Sequence, residues 1–375
     1  MAIPPAAALL LAFLLAAHGA FAALIAPAPA YYPRLALLRR AGGGAVFTGA
    51  ALEVPTPSSR RLLFLSAPSP AGPWAASGSV IASAPVGVGA PVDLGNGVLL
   101  QLPNGTLLCA YRHHDGAPPN RTFRIQLASS HDFGGTWAFA ATIAAGPLGV
   151  WEPFLYLARA GDAGALRVAY SAELPAGAGG RVEQDVVFQG SADGGGSWGA
   201  ITARVHTGGS RNGMPGVALL PDGSQLAVFE GFWGGAWGAF TVNSARSFDG
   251  GASWVQRQVV HAPPPRANAG SPQVALCGGA AGKACAVFMS SEGEAPPGQA
   301  WPAGAHAGLL CAPLDAANVS APIDWARGGA PTTVATETRY IFWPSLFAAE
   351  EGGAQVAYQG SDGAAYASGA DVCAS

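Results

Sequence analysis

The chain has 375 residues and a formal net charge of −3, and only 11% of its residues are charged, against roughly 25% in an ordinary soluble protein. Its 53 glycines and 31 prolines leave little room for long helices, which excludes a coiled coil or a helical bundle. The balance of 19 basic to 22 acidic residues gives no electrostatic footprint for nucleic acid or an anionic membrane.

From the N-terminus, the first thirty residues contain no Lys, Arg, Asp or Glu, and residues 6–17 form an apolar run. That run has the length of a signal h-region and is too short to span a bilayer. Ala20-Phe21-Ala22 places small residues at −3 and −1 of a cleavage site after Ala22. Residues 1–22 therefore read as a signal peptide and residues 23–375 as a single secreted domain. The sequons at Asn104, Asn120 and Asn318 agree with export. Five cysteines, Cys109, Cys277, Cys285, Cys311 and Cys373, suit an oxidising compartment and leave one unpaired. Cys277 and Cys285 flank a Gly-rich turn, so a local cross-strand bridge is expected there; pairing among the other three is open. There is no Cys-x-x-Cys pair and the histidines lack ligand spacing, so neither a metal nor a cofactor is expected.

Two repeats run through the rest of the chain in phase. One has the form Ser-x-Asp-x-Gly-x-x-Trp and occurs at Ser130–Trp137, Ser191–Trp198 and Ser247–Trp254, with a decayed copy at Ala67–Trp74. Asp bonds nearby backbone N–H groups, Gly supplies positive φ and Trp packs underneath, so these segments are hairpin staples rather than chemistry. The other starts with a short polar or aromatic element, followed by an apolar run, a Gly turn and a second apolar run. Its six starts are at Tyr32-Pro33-Arg34, Leu94-Gly95-Asn96, Trp151-Glu152-Pro153, Met214-Pro215-Gly216, Ser271-Pro272-Gln273 and Trp343-Pro344-Ser345. The long last interval contains a Pro/Gly-rich insert at residues 294–308. Six strand-rich copies of about sixty residues predict an all-β, six-bladed β-propeller. The last copy lacks a fourth strand, which residues 24–30 are expected to supply. In a propeller the start of each inner strand opens on one mouth. That register collects Arg34, Glu152 and Trp343 there, with Arg112, Glu173 and Glu230 after the second apolar runs.

The staples and the Tyr-Pro-Arg start resemble the sialidase superfamily over residues 31–369. Narrower likenesses are Tyr32-Pro-Arg34, Tyr111-Arg112-His113-His114-Asp115, Trp151-Glu152-Pro153-Phe154, Tyr170-Ser-Ala-Glu173, Glu183-Gln184-Asp185, and Gly213-Met214-Pro215-Gly216 followed by Val228-Phe229-Glu230. These look like glycoside hydrolase family 93, whose members are exo-arabinanases that release arabinobiose from linear α-1,5-arabinan with retention. The resemblance implies catalytic carboxylates at Glu152 and Glu230, with Glu173 as a third. Glycosidases need one protonated and one ionised carboxyl across the scissile bond. The order is open in the sequence; Glu152 as nucleophile and Glu230 as acid/base is preferred. Substrate contacts are expected from Arg34, Arg112, His113, Asp115, Trp151, Asp185, Trp233, Tyr340 and Trp343. The implied partner is a carbohydrate, bound by a monomer. Two alternatives stand beside this reading. A sialidase would draw an arginine cluster from Arg34, Arg112, Arg211 and Arg339, and a non-catalytic propeller would only bind glycans.

Overall fold

The computed structural model describes residues 22–373 apart from 41, 45, 57–58, 86–92, 117–120, 160, 176–182, 206–209, 233–238, 279–281, 294–300, 316, 319, 335, 349–352 and 369–371. The expected signal peptide lies outside the described residues except for Ala22.

Among the described residues, twenty-four strands form six blades of four. After β1 (Ala23–Ala26), blade 1 comprises β2 (Tyr31–Arg39), β3 (Val46–Pro55), β4 (Ser59–Ala67) and β5 (Ala75–Pro85). Blade 2 comprises β6 (Asp93–Gln101), β7 (Leu107–His114), β8 (Phe123–Ser130) and β9 (Ala138–Gly146). Blade 3 comprises β10 (Val150–Leu157), β11 (Leu166–Leu174), β12 (Glu183–Ser191) and β13 (Ala203–Arg204). Blade 4 comprises β14 (Arg211–Leu219), β15 (Gln225–Phe232), β16 (Phe240–Ser247) and β17 (Val255–His261). Blade 5 comprises β18 (Ala269–Cys277), β19 (Lys283–Ser290), β20 (His306–Pro313) and β21 (Thr332–Thr333). Blade 6 comprises β22 (Ile341–Ala348), β23 (Ala354–Gly360) and β24 (Ala365–Ala367), and β1 completes it by pairing with β24. The N-terminal strand thus latches the ring, as the missing fourth strand requires. A single parallel pair, Gln184 opposite Arg211, joins blades 3 and 4.

The apolar runs build the seams between blades. One buried cluster lies between each neighbouring pair, around Phe64 and Leu107 for blades 1 and 2, Leu127 and Val168 for 2 and 3, and Phe188 and Phe229 for 3 and 4. Val228 with Phe288, Tyr358 with Val287, and Leu52 with Ala365 fill the remaining three. The three staples close the turns after β8, β12 and β16, at the end of each blade remote from the inner-strand starts. In each, the first Ser donates to Asp Oδ1 at 2.8 Å and accepts the Gly N–H at 2.8 Å. Trp137 and Trp254 then pack on Phe64 and Phe188 of the preceding blade. The staples therefore weld blades together, far from any mouth chemistry.

Every inner strand carries the same defect at its start. Two residues stand opposite one on the second strand, and the first of the two has positive φ: Tyr32, Asn96, Glu152, Met214, Ser271 and Trp343, all between 45° and 52°. A non-glycine residue there costs on the order of 1–2 kcal/mol, so six repeats of it mark an imposed geometry. In blade 2 the bulge residue is Asn96, so Gly97 and not Gly95 stands where the other blades carry proline.

Two sequence expectations change. Cys277 does not pair with Cys285: the disulfides are Cys277–Cys373 and Cys285–Cys311, and Cys109 is a buried free thiol. Across the β18–β19 hairpin Cys285 faces Ala275 and Cys277 faces Lys283, a two-residue offset, whereas Cys285 lies directly opposite Cys311 on β20. The long last interval also has two sources, the β19–β20 connection and the stretch between β20 and β21.

Candidate active site

The repeated register arranges the mouth as two concentric rings. The bulge residues form the inner ring. The outer ring comes from second-strand residues paired with the residue just before each bulge: Glu53, Arg112, Ser171, Glu230, Met289 and Gln359. Members of this outer ring reach to the bulge of the following blade. Ser171 Oγ accepts Met214 N–H at 3.0 Å, Glu230 Oε2 accepts Ser271 N–H at 2.9 Å, and Met289 Sδ receives Trp343 N–H at 3.2 Å. The bulge thus turns an N–H toward the neighbouring blade, and a side chain there meets it.

Glu152 occupies the inner ring. Its Oε2 accepts the Ser171 hydroxyl at 2.7 Å. Burial raises its pKa, while the Ser171 bond and the charges of Arg112 and Arg211 oppose that rise. These partners hold back the rise without cancelling it, and the net shift is upward.

Glu230 occupies the outer ring one blade further on. Burial pushes its pKa up to about 7, and the negative charge of Glu152 pushes the same way against the Ser271 N–H bond and Arg211. Glycines let neighbouring side chains close in on the backbone here. A Cβ at Gly270 would lie 2.5 Å from Glu230 Oε2, and one at Gly213 would lie 2.6 Å from Gln184 Nε2, 3.3 Å from Ser171 Oγ and 3.6 Å from Glu230 Oε1. Ser171, which holds Glu152, and Glu230 thus lie beside the same glycine. Glu230 Oε2 is held by the Ser271 N–H.

The remaining mouth residues organise around this pair. Arg112 donates to Asp93 Oδ1 at 2.9 Å and lies 5.6 Å from the Trp151 ring centre. Arg34 donates to the Trp343 carbonyl at 2.9 Å, and burial lowers its pKa to about 10. The Trp343 ring stacks on Tyr32 at 4.0 Å. Arg34, Asn96, Glu152, Met214 and Gln273 line a small cavity on the axis. Beneath it an apolar channel of about 600 Å³ runs through the ring, walled by Leu37, Leu99, Phe154, Leu276 and Leu346.

Other expected site residues take different places. Glu173 lies two residues beyond the ring position, which is Ser171. It accepts the Trp151 indole N–H at 3.2 Å and Gly149 N–H at 3.0 Å, so it holds Trp151 in place. Asp185 is buried in the seam between blades 3 and 4, where it accepts Asn212 Nδ2 at 3.0 Å. Asp115 pairs with Arg124 at the rim, and half-buried His113 lies between them and Leu94 of β6. Tyr340 lies under the Arg339 guanidinium at 5.2 Å. Trp233 is outside the described residues.

Several contributors were not expected from the sequence as parts of a two-carboxylate site. Tyr32 rather than Arg34 holds the position equivalent to Glu152. Ser171 follows an apolar–aromatic doublet, as do Arg112 and Glu230, and that common position was the available signal. Buried His114 packs edge-on to Trp151 at 4.5 Å and contacts the Val150 carbonyl at 2.8 Å; burial lowers its pKa to about 4, so it supports the wall as a neutral ring. Arg211, at the exposed start of β14, is the cation near both glutamates.

The architecture is a six-bladed β-propeller, and the chain is similar in fold to solved arabinanase and arabinofuranosidase structures. An α-L-arabinanase of Penicillium chrysogenum complexed with arabinobiose is similar with a TM-score of 0.61 and 22% identity, over 94% of this chain and 98% of that one. The family 93 α-L-arabinofuranosidase of Fusarium graminearum with arabinobiose gives 0.61 and 18%, over 94% and 97%. A protein of unknown function from Dyadobacter fermentans gives 0.64 and 14%, over 93% and 97%. No family model matches the sequence, and no curated protein does.

Proposed function

We propose that the protein is an exo-acting glycoside hydrolase that cleaves arabinan-type polysaccharide with retention, through Glu152 as nucleophile and Glu230 as general acid/base. The observation that carries the reading is the unequal surroundings of two neighbouring buried carboxyls. Burial raises both pKa values, but Glu152 receives the Ser171 hydroxyl hydrogen and lies near two arginines, whereas the Glu152 charge adds to burial in pushing Glu230 up to about 7. Glu230 would protonate the glycosidic oxygen as Glu152 attacks the anomeric carbon. It would then take a proton from the water that releases the sugar from Glu152. Arabinan as the substrate class is supported by the likeness to two propellers solved with arabinobiose.

The sialidase alternative loses ground on its arginines. Arg112 is bonded to Asp93 and Arg34 to the Trp343 carbonyl, so neither is poised to converge on a substrate carboxylate. Two disulfides and the apolar leader support a secreted protein. The test is product analysis after incubation with linear α-1,5-arabinan and, in parallel, a sialyl-oligosaccharide. Arabinobiose from the first is the expected result; free sialic acid would move the assignment to arginine-based chemistry, and inertness on both would favour a binding module.

A further inference from the structure

Trp301 stands at the edge of the mouth on the β19–β20 connection, and neither ring contains it. The point where a Cβ would sit on Gly270 is 3.3 Å from Trp301 Cζ2 and 2.5 Å from Glu230 Oε2. Only a glycine at 270 lets the carboxyl oxygen and the indole come this close to the backbone, which places Trp301 beside Glu230. Trp301 remains partly exposed, and it is backed by aromatic rings: Phe240 stacks with it at 6.5 Å, and Phe232 packs on Phe240 at 5.2 Å. A partly exposed indole beside this carboxyl, held by Phe240 and by the core cluster of blades 5 and 6, offers an apolar surface of the kind that covers the C–H face of a sugar ring.

Its position fixes which sugar. A general acid must reach the glycosidic oxygen, so the leaving-group sugar extends from the scissile bond on the acid's side. Glu230 lies in blade 4, and Trp301 meets it from blade 5. The Tyr32–Trp343 stack belongs to blades 1 and 6, and Arg34, which bonds the Trp343 carbonyl, lines the axial cavity. We infer that Trp301 is the platform for the leaving-group sugar, which gives the cleft its direction from the axial cavity out over the blade 4–5 seam. This rests on the proposed hydrolase reading and on Glu230 being its acid.

The test compares Trp301→Ala and Trp301→Phe with the unaltered protein on two substrates that share a glycone. One is a linear α-1,5-arabino-oligosaccharide; the other is the glycosyl fluoride of arabinobiose, whose leaving group has no ring to stack. Trp301→Ala is expected to lower kcat/KM on the oligosaccharide roughly tenfold or more, mainly through KM. It should leave the fluoride within about twofold, and Trp301→Phe should recover most of the loss. Equal losses on both substrates, or no loss on either, would overturn the platform. An unaltered protein inert on both substrates would overturn the hydrolase reading and the platform with it. Hydrolysis of the fluoride alone would retain the hydrolase reading and overturn only the leaving-group site.

Discussion

Ser171 connects two blades at the centre of the site: its hydroxyl donates to Glu152 Oε2 at 2.7 Å while its oxygen accepts the backbone N–H of Met214 at 3.0 Å. The backbone bond fixes the hydroxyl oxygen, and the fixed hydroxyl favours an ionised Glu152. Ser171→Ala should therefore raise the Glu152 pKa and move the acidic limb of kcat/KM upward by about one pH unit, as loss of a charge-assisted bond implies. A pH–rate profile of the variant checks this. An unmoved acidic limb would show that Ser171 serves only the fold.

The alkaline side of the same profile belongs to Glu230. A general acid must be protonated, and burial with a charged neighbour pushes this carboxyl to about 7. Activity is expected to fall as pH rises through about 7. It should also fall on the acidic side where Glu152, itself raised above the ordinary carboxylate range, takes up a proton. A plateau extending unchanged past pH 9 would contradict Glu230 as the acid.

That raised pKa has a thermodynamic counterpart. Glu230 binds its proton more tightly folded than unfolded, so its contribution is fully present below the unfolded value near 4.5 and is lost as pH rises through about 7. Glutamine is neutral throughout. Glu230→Gln should thus gain on the unaltered protein by about 2 kcal/mol between pH 5 and pH 8, after allowance for residual solvent contact at the mouth. Denaturant unfolding at the two pH values measures the difference, and a constant gap would refute it.

Glu173 is expected to behave differently from the catalytic pair. It orients Trp151 through the indole N–H and holds Gly149, so Glu173→Gln should raise KM with a loss in kcat below about tenfold. Glu152→Gln and Glu230→Gln should each cost roughly 100- to 10,000-fold in kcat. Steady-state kinetics on arabino-oligosaccharides separates the cases. Loss of kcat in Glu173→Gln equal to that in the other two would place Glu173 in the chemistry.

The fold was legible because each blade repeats one local problem. Apolar runs, staples and X-Pro starts recur at nearly constant spacing, and the N-terminal latch follows from a missing strand. The site was legible where chemistry coincided with register, as at Glu152 and Glu230. It misled where a charged residue stood near the ring position without occupying it. Glu173 is the only carboxylate in its motif, yet the doublet Ala169-Tyr170 points to Ser171 as the equivalent of Glu230. Counting from the aromatic of each doublet would have corrected this. The bulge of blade 2 is the least legible, because Gly97 stands where the other blades carry the proline that marks it. Other features had no local signal. The Cys277–Cys373 bridge spans 96 residues, and Trp301 reaches Glu230 only because blades 4 and 5 are neighbours in space.

The division of labour between Glu152 and Glu230 is tested most directly by azide rescue of two alanine variants. A substrate with a good leaving group, such as the arabinobiosyl fluoride, is used, and the configuration of the glycosyl azide is read by NMR. If Glu230 is the acid/base, Glu230→Ala still forms the intermediate on Glu152, and azide then displaces it with overall retention. If Glu152 is the nucleophile, azide takes its place in Glu152→Ala by one direct displacement, giving inversion. The reverse pattern, or full activity without azide in either variant, would contradict the assignment.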